Sequence, residues 1–152
     1  MRIAVCSDEP YEIHYLVVQK LTDWGHEVVP FGSIASGQEE SWALVARLAA
    51  EAVAFGDCEE GVFFCWSGTG ISMAANKVPG IRCALCMDSE TARLARIWNH
   101  ANVLALSNRL ATAEVVVDIL ESWFATSPNN RKGLKGVSEL LQVEACYQRE
   151  RP

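Results

Sequence analysis

A cysteine followed by two glycines marks the part of this sequence best suited to chemistry, residues 64–72, which read FCWSGTGIS. Glycines let backbone N–H groups turn toward a ligand. The residues after them are typical of a helix start, whose partial positive charge favours an anion and lowers the pKa of a nearby thiol. The segment could therefore stabilise an anion beside the thiolate of Cys65, or it could be a plain glycine turn with a buried cysteine.

Other glycine-loop chemistries fit this segment less well. The dinucleotide fingerprint GxGxxG lacks its third glycine, because residue 73 is Met, and the loop follows the third predicted strand instead of the first. The Gly-Lys-Ser/Thr sequence of a Walker phosphate loop is absent. A cysteine phosphatase would need Arg where Ile71 stands. The chemistry that remains is stabilisation of an enediolate or another oxyanion.

The other cysteines give no sign of a disulfide, redox or zinc site. Cys83 and Cys86 have CxxC spacing, but they lie in the strand-like run IRCALCM, whereas a redox motif normally begins a helix. A zinc site would need a second pair of ligands, and none occurs at ligand spacing. Most of the six cysteines lie in or beside apolar runs, which is typical of reduced, buried thiols. We therefore expect neither a metal nor another cofactor.

The composition is that of a globular, acidic protein. The chain has 152 residues, with 13 Lys or Arg and 19 Asp or Glu, and its formal net charge is −6. This balance argues against a nucleic-acid partner, because nucleic-acid binders need a basic surface. No apolar stretch approaches the ~20 residues of a membrane span, and the first residues show no signal-peptide core. We expect one cytoplasmic domain over residues 1–152.

Short apolar runs alternate with helical periodicity along the chain, and this pattern places the cysteine loop at the end of a strand. Strands are predicted over 2–6, 27–31, 61–65, 81–87 and 102–106. Ser89 could cap a helix over about 90–98, Thr112 could cap a longer one, and a last helix is predicted over about 134–149. The expected fold is α/β, a Rossmann-like three-layer sandwich with a five-stranded, mainly parallel sheet and a C-terminal helix. Ligands of such folds bind beyond the carboxyl ends of the strands.

Some residues outside the loop are interpreted as structural. His14 is expected on a helix surface, and Arg82 is expected to be a surface charge. The segment over 32–41 is the most loop-like stretch of the chain. His14 and Arg82 are therefore not candidates for the site.

The cysteine loop resembles the type B ribose-5-phosphate isomerases, a family that includes the galactose-6-phosphate isomerase subunits. The similarity begins at Cys65, continues through SGTGIS to AANK, and resumes at GIR over 80–82. Further matches extend over essentially the whole chain: they are Asp8 after the first strand, NHANV over 99–103, the turn Ser107-Asn108-Arg109, and the basic pair Arg131 and Lys135.

The resemblance implies an aldose–ketose isomerase of a phosphorylated sugar that works through a cis-enediolate without a metal. Cys65 would be the base, Ser67 would relay a proton, and Asp8 would bind sugar hydroxyls or assist proton transfer. The backbone amides of the loop would form an anion hole, made by Gly68, Thr69, Gly70, Ile71 and Ser72.

The resemblance also implies a set of ligand contacts and an assembly. Substrate would be contacted by Glu9, Trp66, Trp98, Asn99 and His100, and its phosphate would be held by Arg109, Arg131 and Lys135. The site of this family lies between two subunits, so a homodimer or a dimer of dimers is implied.

Four positions depart from the family pattern. Glu9 replaces a His that helps to hold phosphate, and a carboxylate would repel that group. Trp98 replaces the ring-opening His, while His100 lies two residues later. Trp66 replaces a glycine of the anion-hole loop, and Trp42 falls near a position where the family has Tyr-Pro. Most of these changes affect substrate handling and leave the base unchanged.

Two functions from different classes follow. The first is an isomerase with a substrate altered from ribose 5-phosphate, such as an open-chain or differently substituted sugar. The second is a non-catalytic, sugar-phosphate-binding subunit of a hetero-oligomeric isomerase, which would have no need of a reactive Cys65. The sugar, the need for phosphate and the choice between dimer and tetramer stay open at this point.

Overall fold

The computed structural model describes residues 1–148, and its centre is one sheet of five parallel strands in the order β2-β1-β3-β5-β4. The strands are β1 (Arg2–Ser7), β2 (Glu27–Gly32), β3 (Glu60–Cys65), β4 (Cys83–Leu85) and β5 (Val103–Ser107). The helices are α1 (Ile13–Asp23), α2 (Ser33–Ser36), α3 (Trp42–Ala54), α4 (Thr69–Ala75), α5 (Ser89–Asn99), α6 (Ala113–Ala125) and α7 (Leu134–Gln148), with a 3-10 turn at Arg131–Gly133 before α7. The predicted α/β class with a five-stranded parallel sheet is confirmed.

Helices cover both faces of the sheet, which is why its strands are apolar on both sides. Helices α1, α5 and α6 pack on one face, against strand residues that include Val5, Phe64 and Leu104. Helices α3 and α4 pack on the other face, and Cys65 belongs to that layer. With the sheet between them, the two helix layers form the three-layer sandwich that the alternation of strands and helices predicts.

Helix starts show how local residues set the element boundaries. Thr112 caps α6 as predicted, because its side chain accepts a hydrogen bond from the N–H of Val115. The prediction of Ser89 as a cap was wrong. Asp88 caps α5, and its carboxylate accepts hydrogen bonds from both the N–H and the hydroxyl of Thr91. A carboxylate at this position also suits the positive end of the helix.

The edge strand β4 is shorter than the predicted strand over 81–87. Asn76 caps the start of this strand. Its side chain accepts a hydrogen bond from the N–H of Cys83 and donates one to the C=O of Cys83, each at 2.8 Å. Directly before β4, the N–H of Arg82 donates to the side chain of Asn102 at 2.8 Å and not to a strand. The segment over 32–41 also differs from the prediction, since it contains α2.

A buried ion pair fastens the amino edge of the sheet. Glu60, the first residue of β3, accepts a 2.5 Å bond from Arg96 of α5 and a 2.7 Å bond from the indole N–H of Trp123 in α6. The Arg96 guanidinium also lies 4.6 Å from the centre of the Trp123 ring and donates to the carbonyl of Ala101. The pair therefore ties β3, α5, α6 and the approach to β5 together.

Helix α7 lies outside the two packed layers. None of its residues is buried, and its apolar side chains Leu140, Leu141 and Val143 are about half exposed. One contact to the body runs from the N–H of Gly80 to the carboxylate of Glu144 at 3.0 Å. Within the described residues, no helix is long and apolar enough to cross a membrane.

Candidate active site

The chain changes direction across the sheet at β1, because β2 lies on one side of β1 and β3 on the other. In open α/β sheets such a switch point leaves a ligand-binding crevice beyond the carboxyl ends of the two strands. The register of β1 with β3 ends at Ser7 opposite Phe64, so Asp8 and Cys65 are the next residues on the two strands. The structure thus brings these two candidate residues to the same crevice.

Cys65 is held from the neighbouring strand. It pairs with Ser107 of β5, and its carbonyl oxygen accepts a 2.9 Å hydrogen bond from the N–H of Asn108. Its side chain is buried in the layer of α3 and α4, with 5% of the residue exposed. Burial raises the pKa of Cys83 and Cys86 to about 12, so those two thiols are protonated at neutral pH.

Gly68 sets the shape of the loop after Cys65. It precedes α4 with a φ of 77°, a conformation that side-chain-bearing residues rarely adopt. A Cβ atom here would lie 2.4 Å from a methyl carbon of Leu85 and 3.1 Å from the backbone of Leu106. Only glycine therefore allows the loop to approach β4 and β5 this closely.

The amides after Gly68 start a helix, so the first of them have no intrahelical carbonyl to bond. The N–H of Thr69 donates to the hydroxyl of Ser67 at 3.4 Å, and the two hydroxyls of these residues share a 2.6 Å bond. Ile71 anchors the loop in the core, and the N–H of Ser72 donates to the carbonyl of Gly68. The ring of Trp42 covers Gly70, since a Cβ atom there would lie 3.1 Å from it.

Asp8 contributes a carboxylate with one oxygen that has no protein partner. Its Oδ1 atom is buried and makes no hydrogen bond within the described residues, although 9% of the residue is exposed. Burial is the main cause that raises the pKa of this carboxyl, and the nearby charges of Glu9 and Glu39 raise it further. A buried carboxylate oxygen of this kind is available to a ligand hydroxyl.

Glu9 is oriented by Tyr11. The Tyr11 hydroxyl donates to Glu9 Oε2 at 2.7 Å, and this bond raises the pKa of Tyr11 to about 12. The Tyr11 ring lies beside the ring of Trp66, with 6.2 Å between centroids and 30° between planes. The hydroxyl of Ser7 also donates to the carbonyl of Glu9 at 2.8 Å. Glu9 and Trp66, both predicted to contact substrate, therefore lie at the same edge as Cys65.

His14 is buried, so its assignment to the helix surface was wrong. Its Nε2–H donates to the side-chain oxygen of Asn108 at 2.9 Å, and its Nδ1 accepts from the N–H of Tyr11 at 3.4 Å. Burial lowers the pKa of His14, which favours the neutral ring that these two bonds require. The ring packs on Phe64, 4.8 Å between centroids. His14 thus connects α1 with the ends of β3 and β5.

Arg109 also lies at the carboxyl edge. Its backbone N–H donates to the carbonyl of Trp66 at 3.0 Å, which ties the turn after β5 to the loop after β3. Its side chain is exposed and makes no salt bridge within residues 1–148. Of the three candidate phosphate ligands, Arg109 is the one placed beside Cys65.

The remaining candidates lie at the opposite edge of the sheet. Trp98 and Asn99 end α5, and His100 follows at a φ of 46°, just before the amino end of β5. Strand β5 is five residues long, which separates the two edges by about 13 Å. The His100 ring already has a hydrogen-bond partner, because its Nε2–H donates to the carbonyl of Asn130 at 2.8 Å.

The segment that carries the basic residues near the C-terminus packs on the same end of α5 through Gly133. Gly133 permits this contact, because a Cβ atom there would lie 2.6 Å from His100 Nε2. Arg131 is exposed at the 3-10 turn, and Lys135 is exposed at the start of α7, 3.9 Å from Glu139. A single chain therefore divides the candidate residues into two groups, one at each edge of the sheet.

Sequence reasoning missed residues that support the carboxyl-edge group. Tyr11, Asn108 and Trp42 were not singled out as site residues. His14 carried a signal, since with Val17 and Leu21 it forms the buried face of α1 at helical spacing. Arg82, expected on the surface, is half-buried and bonds the carbonyls of His100 and Gly80. No cluster of three or more potential metal ligands occurs within residues 1–148.

Comparison with known proteins places the chain among isomerases. Residues 3–140 match the sequence profile of a family described as Ribose/Galactose Isomerase. The galactose-6-phosphate isomerase subunit LacB of Clostridium acetobutylicum is 35% identical over 141 residues, covering 90% of this chain and 81% of that protein. Ribose-5-phosphate isomerase B of Escherichia coli is 30% identical over 139 residues, covering 91% of this chain and 93% of that protein.

Solved structures agree with this similarity. Ribose-5-phosphate isomerase B of Clostridium thermocellum superposes with a TM-score of 0.89 at 34% identity, covering 97% of this chain and all of the other. The type B ribose 5-phosphate isomerase of Trypanosoma cruzi superposes with a TM-score of 0.88 at 32% identity, covering 96% of this chain and 97% of the other. Both matches cover nearly the whole of this chain.

Proposed function

The chain belongs to the ribose/galactose isomerase family and is a sugar-phosphate isomerase, and from this premise we propose that it interconverts an aldose and a ketose through a cis-enediolate. The observation that carries this proposal is the placement of Cys65, directly before the glycine loop, and of Asp8, with its unpartnered Oδ1 atom, at the ends of adjacent strands. A base and a carboxylate that meet at the switch point suit proton transfer on a bound sugar.

The proton transfers balance within the substrate. The thiolate of Cys65 takes the proton from the carbon next to the carbonyl, and the carbon–oxygen double bond becomes the carbon–carbon double bond of the enediolate. Cys65 then returns the proton to the former carbonyl carbon. Ser67 moves the hydroxyl proton from one substrate oxygen to the other, and its 2.6 Å bond with Thr69 supports that role. Asp8 holds sugar hydroxyls through its free oxygen.

The enediolate oxygen would be held by backbone amides of the loop. Gly68 is fixed by its close approach to β4 and β5, and Ile71 anchors the start of α4 in the core. Preorganised amides of this kind stabilise developing negative charge, and losing one costs about 2.7–4 kcal/mol of barrier. The anion hole would comprise the amides of Gly68, Thr69, Gly70 and Ile71, whereas the N–H of Ser72, the fifth candidate, already donates to the carbonyl of Gly68.

Two copies of the chain would complete the site. The residues at the amino edge are too far from Cys65 of the same chain, so they would act across an interface, as a homodimer or a dimer of dimers allows. Arg131 and Lys135 of one copy would hold the phosphate, while Trp98, Asn99 and His100 would contact the sugar. The half-exposed apolar side chains of α7 support burial of this region in an assembly.

The substrate would differ from ribose 5-phosphate. Glu9 stands beside Asp8 with its carboxylate held by Tyr11, and this acidic pair disfavours phosphate there. Trp98 has no titratable group, so it cannot open a sugar ring by proton transfer. An open-chain or differently substituted sugar fits these residues better. One domain over residues 1–152 in the cytoplasm remains our prediction for the chain and its location.

The test is solvent deuterium exchange followed by proton NMR. The wild-type protein and its Cys65→Ala variant are incubated in D2O with four- to six-carbon aldose and ketose phosphates and their unphosphorylated forms. Exchange at the carbon next to the carbonyl is expected for the wild type and lost in Cys65→Ala. The control is Cys146→Ala, which removes an exposed cysteine of α7 and should exchange normally. Equal exchange by Cys65→Ala would exclude Cys65 as the base.

A second candidate is a non-catalytic, sugar-phosphate-binding subunit of a hetero-oligomeric isomerase. It is favoured by one observation: the His100 ring is bonded to Asn130, and Trp98 replaces the other imidazole of that region. The same experiment separates the two functions. Binding of sugar phosphates without any exchange in the wild type would support the subunit and reject the isomerase.

A further inference from the structure

Tyr11 is held in place from several directions. Its hydroxyl donates to Glu9 and its backbone N–H donates to Nδ1 of His14. Its ring also meets the His14 ring edge-on, with 5.9 Å between centroids and 79° between planes. His14 is itself buried and bonded to Asn108. Tyr11 is therefore a rigid support, anchored in the core behind the crevice.

This support fixes two groups at the carboxyl edge of the sheet. The Glu9 carboxylate is bonded through Oε2 only, and Oε1 has no protein partner within residues 1–148. The Trp66 ring lies beside the Tyr11 ring and is 54% exposed. A fixed carboxylate next to an open aromatic face suits the two surfaces of a sugar: its hydroxyls donate to the oxygen, and its C–H groups pack on the ring.

The surroundings of Glu9 are negative. Asp8 precedes it with a buried, unpartnered oxygen, and the N–H of Glu40 donates to the carbonyl of Asp8, which brings the segment of Glu39 and Glu40 to the same place. The charges of Glu9 and Glu39 are both felt by Asp8, where they raise its pKa. A phosphate dianion placed against Glu9 would be repelled by this group.

Arg109, the candidate phosphate ligand at this edge, lies two strands away from Glu9. Glu9 follows β1 and Arg109 follows β5, with β3 and Cys65 between them. Neighbouring strands are about 4.8 Å apart, so roughly 10 Å separates the two strand ends. A sugar phosphate of four or five carbons that lies across Cys65 can therefore direct its phosphate toward Arg109 and its other end toward Glu9.

We propose that Glu9 and Trp66 form a subsite for the uncharged, hydroxyl-bearing end of the substrate, with Tyr11 as the positioning residue of both. The substrate class is a sugar monophosphate whose phosphate points away from β1, and a phosphate at the other end is rejected. The orientation on Cys65 rests on the proposed function, whereas the binding preference stands without it.

The test uses unreactive sugar alcohols, so that binding is measured without turnover. Calorimetry gives the Kd of ribitol 5-phosphate and of ribitol 1,5-bisphosphate, of which only the second must place a phosphate at Glu9. The wild type should bind the monophosphate about tenfold more tightly. Glu9→Gln keeps the size of the side chain and removes its charge, and it should lose most of this preference, since a bond to a charged acceptor is worth about tenfold or more.

Two variants complete the design. Tyr11→Phe keeps the ring and removes the hydroxyl that orients Glu9, and it should lower the preference in the same direction by less, about threefold. Glu12→Gln removes an exposed carboxylate nearby and should leave the preference unchanged. Melting temperatures show whether each variant is folded, and Tyr11→Phe tests the proposal if Glu9→Gln does not fold.

Each outcome decides the proposal. A preference that persists in Glu9→Gln, or a wild type that favours the bisphosphate, overturns it. Deuterium exchange of the same proteins tests the reaction separately. Exchange retained by Glu9→Gln with an altered preference supports both proposals, and no exchange by the wild type removes the proposed function while the binding preference still decides the subsite.

Discussion

The N–H of Asn108 donates a 2.9 Å hydrogen bond to the carbonyl oxygen of Cys65, while the side chain of Asn108 is held by His14. The backbone of Cys65, which would act as the base, is therefore held by Asn108, and Asn108 is in turn bonded by the buried His14 of α1. Because His14 accepts the N–H of Tyr11 through Nδ1, it must be neutral to keep both bonds.

His14 should make stability depend on pH. Burial lowers its pKa below the ordinary value of 6.5, so the unfolded chain binds this proton more readily than the folded one. The stability that His14 contributes is present above the unfolded pKa and is lost as the pH falls from there toward the folded pKa. Urea unfolding should show a shallower loss between pH 7.5 and 5 for His14→Gln than for the wild type. Asp8 and His26 also titrate but are common to both proteins, and equal slopes would contradict the assignment.

Gly68→Ala should be clearly destabilising. The substitution forces a side chain into a left-handed conformation, which costs about 1–2 kcal/mol, and it overpacks the loop against Leu85 and Leu106, which costs about 1–3 kcal/mol more. Gly37→Ala is the matched control, because Gly37 has a φ of 71° but nothing within 4 Å of the added Cβ. Thermal or urea unfolding should separate the two variants by at least about 1 kcal/mol, and similar losses would argue against the close approach.

Removal of one partner of the buried ion pair should weaken the whole fold. Glu60→Gln leaves Arg96 buried without its carboxylate, and breaking such a pair costs about 3–5 kcal/mol. The exposed pair of Arg93 and Glu90 offers the comparison, since Glu90→Gln should change the free energy of unfolding far less than Glu60→Gln. Equal effects of the two substitutions in urea would show that burial of the pair is unimportant.

Two inactive variants should restore each other's activity if the site is shared. Cys65→Ala removes the base from the carboxyl-edge group, and the double variant Arg131→Gln/Lys135→Gln removes the phosphate ligands from the amino-edge group. Random reassociation makes half of the dimers mixed, each with one intact site, so about a quarter of wild-type activity should return. The assay is isomerisation before and after mixing under subunit exchange. Activity no higher than the sum of the separate variants would place the complete site within one chain.

Local sequence determines those parts of the fold that were predicted well. Helix α6 buries Val116, Ile119, Leu120 and Trp123, and Thr112 caps it, because helical periodicity and capping depend on residues within a few positions. Strand β4 was predicted too long, because the side chains of Asn76 and Asn102, which lie outside the predicted strand, bond the backbone around it. No local pattern contains that information.

The candidate site shows the same division. Asp8 and the cysteine loop follow predicted strands, so their common edge could be expected from the topology alone. The amino-edge position of Trp98 also follows from its place before β5, although one chain cannot unite the two groups. The role of Tyr11 could not be predicted, because it depends on the three-dimensional approach of Glu9, His14 and Trp66.

The clamp of Asn76 on Cys83 has a consequence for self-association. An exposed edge strand offers free N–H and C=O groups to a strand of another molecule, which is a route to aggregation. At one border of the sheet, Asn76 already occupies the N–H and the C=O of Cys83, and β4 is only three residues long. At the other border, Pro30 interrupts the donors of β2. Both borders are thus poor templates for strand addition, which disfavours assembly of this protein through the edges of its sheet.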